Sequence, residues 1–340
     1  MKLTAYNQFA LFEELQPEWN DLVERSITNR IFSTWEWQST WWQAYQPGEL
    51  WVITCRDENN RLIGIAPWFI ESNPQHGRVV RSIGCVEVTD YLDIIVDATQ
   101  ITPVLAEFAT FAAQHGQQFD LIDLCNLPEY SPALQQFPDH LRAQHFEVTI
   151  KQQEVCPVIA LPSEWEAYLE ALDKKQRHEL RRKIRRAEGA DEKVAWYIVD
   201  QNHDLNQEIE RFLHLMASSQ AEKAGFLQDP QNIAFFKSIV PIAFERGWLQ
   251  MSFLTINGEA AAAYINFTYD GHVLVYNSGL LPNQYGHLSP GIVLLAYNIQ
   301  HAIQEGQKVF DFLRGDENYK YRMGGQDTRV FMLIARKSAG

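Results

Sequence analysis

Asp311, Arg314, Asp316, Glu317, Tyr319, Lys320 and Arg322 crowd into one stretch, DFLRGDENYKYR, at the end of the apolar run KVFDFL. Such a set has a definite chemistry. A carboxylate can take a proton from an amine, a cation can hold an oxyanion, and a phenol can protonate a departing group. Asp316 or Glu317 would be the base, directly or through water. Tyr319 would be the acid, with Lys320 beside it and Arg314 a contact for the substrate. Strand ends and the loops after them are where α/β proteins carry such groups. The same residues also suit a salt-bridged turn, Arg314 and Lys320 pairing with Asp316 and Glu317.

Three further segments carry charge or geometry of interest. The loop LPNQYGHLSPG at 281–291 leads into an apolar helical pattern. Ser289 suits an N-cap, Pro290 a first helical turn, and Gly291 a close approach of backbone to an anion. A helix entered this way offers free N–H groups and its dipole to a phosphate; it also reads simply as a well-capped helix. The segment KKQRHELRRKIRRAE at 174–188 is densely basic, with Arg181 and Arg182 at its centre. It reads as a solvated face, as a contact for the phosphates of a bound cofactor, or as a transfer-RNA surface. Asp90, Tyr91 and Asp93 enter a strand-like stretch, where Asp90 could hold an amine or simply shape a turn.

The elements that must position these groups follow from periodicity and turn residues. Helices are predicted at 13–25 and 33–45, the second bearing an aromatic stripe of Trp35, Trp42 and Tyr45 that reads as core. Strands at 50–56 and 61–70 flank a polar turn, with further strands at 78–85, 91–97 and 119–127. Helices follow at about 101–115 and 132–144, and a strand near 146–151. Ser163 and Glu166 form a capping-box pattern before the basic helix, which ends at Gly189 and has room for a break near Asp173. The second half repeats the grammar: strand 194–200, helices near 204–219 and 230–246, a three-stranded meander with an Asn257-Gly258 turn, the 281–291 loop, a helix at 291–305 and the KVFDFL strand. The fold class is α+β, a mixed α/β chain of two similar halves. The expected division is 1–160, a basic connector at 161–190, and 191–340.

Composition narrows the classes. The 340 residues carry a formal net charge of −14, which disfavours general nucleic-acid binding. Cys55, Cys85, Cys125 and Cys156 stand far apart, without CxxC or CxxH, so neither zinc nor a disulfide framework is expected and all four read as reduced. The N-terminus lacks the apolar run of a signal peptide, and no stretch approaches the roughly 18 apolar residues of a span. The expectation is a cytoplasmic protein with no membrane association. Histidines pair with no Ser or Cys at a catalytic spacing, Ser289 lies outside any GxSxG, and no GxxxxGK[ST] occurs.

The order β-α-α-β-β-β-α-β of the second half is that of the GNAT acyltransferase core. The chain also resembles the CelD/BcsL-type acetyltransferases of the GNAT superfamily. The resemblance rests on FSTWEWQSTWW at 32–42, RSIGCVEVTDYLDIIV at 81–96, KKQRHELRRKIRRAE at 174–188, YGHLSPGIVLL at 285–295 and FDFLRGDENYKYRMG at 310–324. It implies tandem GNAT-like folds, as in the related FemABX transferases. It implies acetyl-CoA or another acyl-CoA as co-substrate, no metal, and an amine of a sugar, amino acid or peptide as acceptor. Ser289, Pro290, Gly291, Arg181 and Arg182 would then bind the donor. Two alternatives stay open: a FemABX-like aminoacyltransferase using aminoacyl-tRNA, and a non-catalytic binding module, the first half being the more degenerate because it lacks an SPG-like helix entry.

Overall fold

The computed structural model describes residues 1–85, 88–281 and 284–337. Val86 and Glu87 of the Asp-Tyr segment, Pro282 and Asn283 of the 281–291 loop, and 338–340 lie outside the described residues. The elements in chain order are β1 (Lys2–Tyr6), α1 (Ala10–Glu24), α2 (Trp35–Tyr45), β2 (Glu49–Arg56), β3 (Leu62–Asn73), β4 (Gly77–Ser82), β5 (Ile95–Val96), α3 (Ile101–Gln114), β6 (Leu121–Pro128), α4 (Pro132–Gln135), α5 (Phe137–Ala143) and β7 (Phe146–Ala160). Then come α6 (Trp165–Ala171), α7 (Lys174–Glu188), β8 (Val194–Ile198), α8 (Leu205–Ser219), α9 (Ala221–Phe226), α10 (Pro230–Glu245), β9 (Leu249–Ile256), β10 (Glu259–Tyr269), β11 (His272–Leu280), α11 (Pro290–Gln304), β12 (Val309–Asp311), α12 (Asn318–Arg322) and β13 (Gln326–Lys337).

The chain forms two compact units, Met1–Val155 with the stretch from Thr328 on, and Cys156–Asp327. The stretch 161–190, read from sequence as a connector, supplies α6 and α7 to the second unit.

In the first unit the sheet runs β1-β2-β3-β4-β6-β13, with β7 beside β13. β1 to β4 pair antiparallel as a meander, β4 and β6 pair parallel, and β13 pairs antiparallel with β6. The aromatic opening helix does reach the core, but by a different face from the predicted stripe: Thr34 caps α2 by accepting from the Trp37 N–H, Trp37 and Trp41 are fully buried and Trp42 is buried, while Trp35 and Tyr45 are half-buried. Asp93 is buried as well. Its Oδ1 accepts from the Ser131 hydroxyl and the Ile94 N–H, both at 2.8 Å, while Oδ2 has no hydrogen-bond partner. Burial pushes this carboxyl up to about 7.

The cysteine expectation needs correcting. Cys85 and Cys125 form a disulfide, in which Cys55 and Cys156 take no part. The two lie 40 residues apart in sequence, and the β4–β6 pairing brings their Cα atoms to 6.2 Å. Sequence spacing cannot show a neighbourhood that only parallel pairing creates.

In the second unit the sheet runs from the end of β7 through β12-β11-β10-β9-β8. The Asn257-Gly258 turn joins β9 and β10 as predicted, with φ of 53° and 87°, the left-handed pair a tight hairpin requires. Helix α7 opens where the sequence allowed a break, with the Asp173 carboxylate accepting from the Lys175 and Gln176 N–H groups. The capping box at Ser163 does not form. Trp165 and Tyr168 pack into the core, and the Tyr168 hydroxyl donates to the Met323 carbonyl; this register makes Glu164 the N-cap and leaves Ser163 one residue too early to reach the first turn.

Two measurements check this description. Thiol titration of the unfolded, unreduced protein should detect Cys55 and Cys156 alone. Asp93 binds its proton more tightly folded than unfolded, so stability should fall by about 4 kcal/mol as pH rises from about 4 to 7 and level off above. Asp93→Asn should flatten that stretch of a denaturant-stability profile.

Candidate active site

β11 and β12 pair in parallel only over His272, Val273 and Leu274 with Val309, Phe310 and Asp311. β12 then stops. The Asp311 carboxylate accepts from the Leu313 N–H at 2.8 Å, and Leu313 takes φ of 57°, so the chain turns away. β11 continues along β10 to Leu280, with a register shift opposite Ile265 and Asn266 that leaves Tyr276 as the extra residue. Such a bulge bends a strand and re-aims its groups. Beyond Leu274, the β12-facing edge of β11 is therefore free of β12.

Helix α11 begins beside that edge. Ser289 sits at the N-cap position with φ of 52°, yet its side chain caps nothing. Its hydroxyl instead accepts from the Lys183 ammonium at 2.9 Å. The first intrahelical bond is from the Val293 N–H to the Ser289 carbonyl, so the N–H groups of Gly291 and Ile292 precede it. A Cβ at Gly291 would meet only Leu280, at 3.5 Å, so the entry is open on that side.

The basic helix α7 packs against this entry through Leu180, Ile184 and Ala187. That stripe turns Lys183 and Arg186 toward the loop: Arg186 donates to the His287 carbonyl at 3.2 Å. Arg181 and Arg182, the pair singled out from sequence, lie elsewhere. Arg181 pairs with Glu166, and Arg182 with Glu179 one turn back. A cavity of about 120 Å³ lies between α7, α11 and α12, lined by Leu180, Lys183, Ile292, Tyr319 and Arg322 among others. A second, of about 480 Å³, adjoins it along Lys175, His178 and Arg182.

The acidic and basic residues after β12 divide by burial. Lys320 is 2 % exposed and fully engaged. Its ammonium donates to the carbonyls of Leu313, Arg314 and Gly315 at 3.2, 2.7 and 3.1 Å and pairs with Glu317 at 2.9 Å. Gly315 has φ of 111°, and a Cβ there would run into the Glu317 carboxylate. Asp316 and Glu317 are exposed, Glu317 despite its pairing; Arg314 is half-buried. Tyr319 is held above its ordinary range by burial first, then by nearby Tyr264 and Glu317. Tyr264 is raised by burial, and its hydroxyl donates to the Gly291 carbonyl at 3.3 Å. The site thus holds two protonated phenols, a surface carboxylate and an open helix entry.

The sequence reading missed two groups. Lys183 could have been found from its place beside the Leu180–Ile184 stripe. Lys223, on α9, gave no signal: it reaches the edge of β11 and donates to the Ser278 carbonyl at 2.5 Å and hydroxyl at 3.2 Å. Burial lowers it to about 8, partly offset by the charge of Glu317. Asp90 and Tyr91 belong to the first unit, where the Tyr91 ring is buried 6.0 Å from Phe32. Among the described residues no group of His, Cys, Asp and Glu could hold a metal ion. No helix among them is long and apolar enough to cross a membrane.

Replacing Lys320 by Met should leave three loop carbonyls without their donor and cost about 1–3 kcal/mol in urea unfolding. An unchanged midpoint would show that the loop holds itself.

Residues 174–321 match an acetyltransferase (GNAT) domain family. No curated protein matches in sequence. Among solved structures, FemX is similar with a TM-score of 0.67 at 10 % identity, over 98 % of this chain and 97 % of that one. L-PGS from Bacillus licheniformis is similar with a TM-score of 0.57 at 10 % identity, over 95 % and 92 %. A tandem GNAT protein from the clavulanic acid biosynthesis pathway gives 0.51 at 11 % identity, over the full length of both. The fold is tandem GNAT-like, mixed sheets flanked by helices, as the resemblance implies.

Proposed function

We propose that the chain is an N-acyltransferase that takes its acyl group from acyl-CoA, acetyl-CoA being the first donor to test, and that it is kin to the CelD/BcsL type. The observation that carries this is the β11 edge free of β12, beside the open entry of α11. An edge strand can hydrogen-bond the amides of an extended pantetheine arm, and the helix entry can take the pyrophosphate that the arm ends on. Gly291 and Ile292 would supply N–H groups, Ser289 and Pro290 the turn that exposes them, and Lys183 a positive charge. Arg181 and Arg182 would contribute only by exchanging their glutamates for ligand phosphates.

The chemistry then divides among the residues already placed. Glu317 or Asp316, both exposed, accepts the acceptor's ammonium proton through water. The amine adds to the thioester carbonyl, and collapse of the adduct expels the thiolate. Tyr319 stays protonated in this environment, gives the leaving thiolate its proton, and is restored by the second proton that the adduct's nitrogen gives up. The acceptor is an amine of a sugar, amino acid or peptide, and the place of action is the cytoplasm.

The exposed cations of α7 favour one second reading, an aminoacyl-tRNA donor in the manner of FemABX enzymes. Such binding would weaken steeply with salt. Calorimetry with acetyl-CoA separates the two. The wild type should bind, Gly291→Ala should bind equally, and Gly291→Trp should lose more than about tenfold in affinity. A folded wild type that binds no acyl-CoA would shift the assignment to the transfer-RNA donor.

A further inference from the structure

Lys223 is the cation at the open edge of β11, and nothing in the sequence marked it. Gly279 and Leu281 face β10, the Leu281 N–H donating to the Ala261 carbonyl. The pleat therefore turns the backbone of the alternate residues, Ser278 and Leu280, to the opposite edge, where β12 would pair had it continued. Lys223 fills that position from α9, with its ammonium on the Ser278 carbonyl and hydroxyl. An ammonium has three N–H groups, so one is left to point at a further acceptor.

The groups around it are few. β11 contributes Ser278, the loop after β12 contributes Glu317, and Lys320 of α12 holds Glu317 in turn. Glu222, its neighbour on α9, is exposed. Lys320 is spent on the loop carbonyls, and Lys183 lies at the helix entry on Ser289. Lys223 is thus the half-buried cation at the Ser278 edge whose partners leave a donor over.

We propose that Lys223 is a catalytic residue: its ammonium stabilises the oxyanion formed when an amine adds to a thioester lying along the β11 edge. The inference rests on the acyl-transfer reading above. The amine lone pair forms the new C–N bond and the carbonyl π pair moves to oxygen, where Lys223 holds it. The pair then returns and the C–S bond breaks; the thiolate takes a proton from Tyr319, and the proton given up by the new amide nitrogen restores the phenol. Lys223 neither gains nor loses a proton in the cycle. Its role requires the charged form, and its environment lowers its pKa to about 8. Turnover should therefore fall as pH rises through that value.

The test uses the whole chain, acetyl-CoA as donor and hydroxylamine as a small nucleophile that is already neutral in this range, with thiol release as the readout. Lys223→Met should fold, bind acetyl-CoA by calorimetry with little change, and lose roughly 100-fold or more in kcat, the effect of removing one oxyanion donor. Lys223→Arg keeps a permanent cation and should move the alkaline fall to higher pH. Three outcomes overturn the proposal. A Lys223→Met enzyme with wild-type kcat and pH profile removes Lys223 from the chemistry. A wild-type rate that climbs through pH 8 and levels there makes the neutral amine the working form. A folded wild type that binds no acyl-CoA removes the reading on which the inference rests, and Lys223 with it.

Discussion

The pairing of β11 with β12 ends after three residues, and the candidate site depends on that ending. Strand backbones normally satisfy one another, so an edge that loses its partner inside a sheet must find another. Here β12 turns off because Asp311 holds the Leu313 amide and Leu313 takes a left-handed conformation. β11 bends at its own bulge and runs on. The gap leaves that edge without a strand partner, Lys223 and Asn277 holding the Ser278 peptide groups in its place, and helix α11 starts beside it. A helix entry elsewhere on the surface would be an anion site without a chain to attach to it.

The first unit repeats the same order of elements and shows what closes such a gap. β4 and β6 pair in parallel as β11 and β12 do, over Val79 and Val80 with Leu121 and Ile122. Beyond that point Cys85 and Cys125 are bonded, Leu92 packs with them, and the Leu92 N–H donates to the Asn126 carbonyl. The helix that follows, α3, begins at Gln100 with no side-chain cap and no serine-proline-glycine entry. Disulfide, leucine and a returning segment occupy the place where the second unit has an open edge. The same local grammar thus makes a filled edge in one unit and an edge without its neighbouring strand in the other.

Within the second unit, charge is placed by burial. Lys320 is nearly sealed from water, which is tolerable because three carbonyls and a carboxylate surround its ammonium. It acts on the loop as a fixed hub and holds Glu317 beside it. Tyr319 and Tyr264 lie where ionisation is disfavoured, so each remains a proton donor at neutral pH. Glu317 keeps contact with solvent and so can exchange protons with it. A buried and a half-buried phenol thus stand near an exposed carboxylate within one loop and its neighbouring strand.

The sequence by itself determined the fold class and most of the elements, though not β1, α9, α12 or β13, which carry weak local signals. Periodicity, turn pairs such as Asn257-Gly258 and the serine-proline-glycine helix entry act over a few residues, so they are readable without a fold. It also brought DFLRGDENYKYR to notice, because charge concentrated after an apolar strand is a local fact. Tertiary structure alone decided what each charge does. Lys320 is a structural hub because its side chain folds back on carbonyls that no spacing rule connects to it. Arg181 and Arg182 face glutamates while Lys183, the next residue, reaches Ser289, since a helix turns by about 100° per residue and only packing fixes which face meets α11. Cys85 meets Cys125, and Lys223 meets Ser278, across pairings between distant strands and helices. Long-range contacts depend on which strand lies beside which, and that is settled by burying the whole core at once rather than by any stretch of residues.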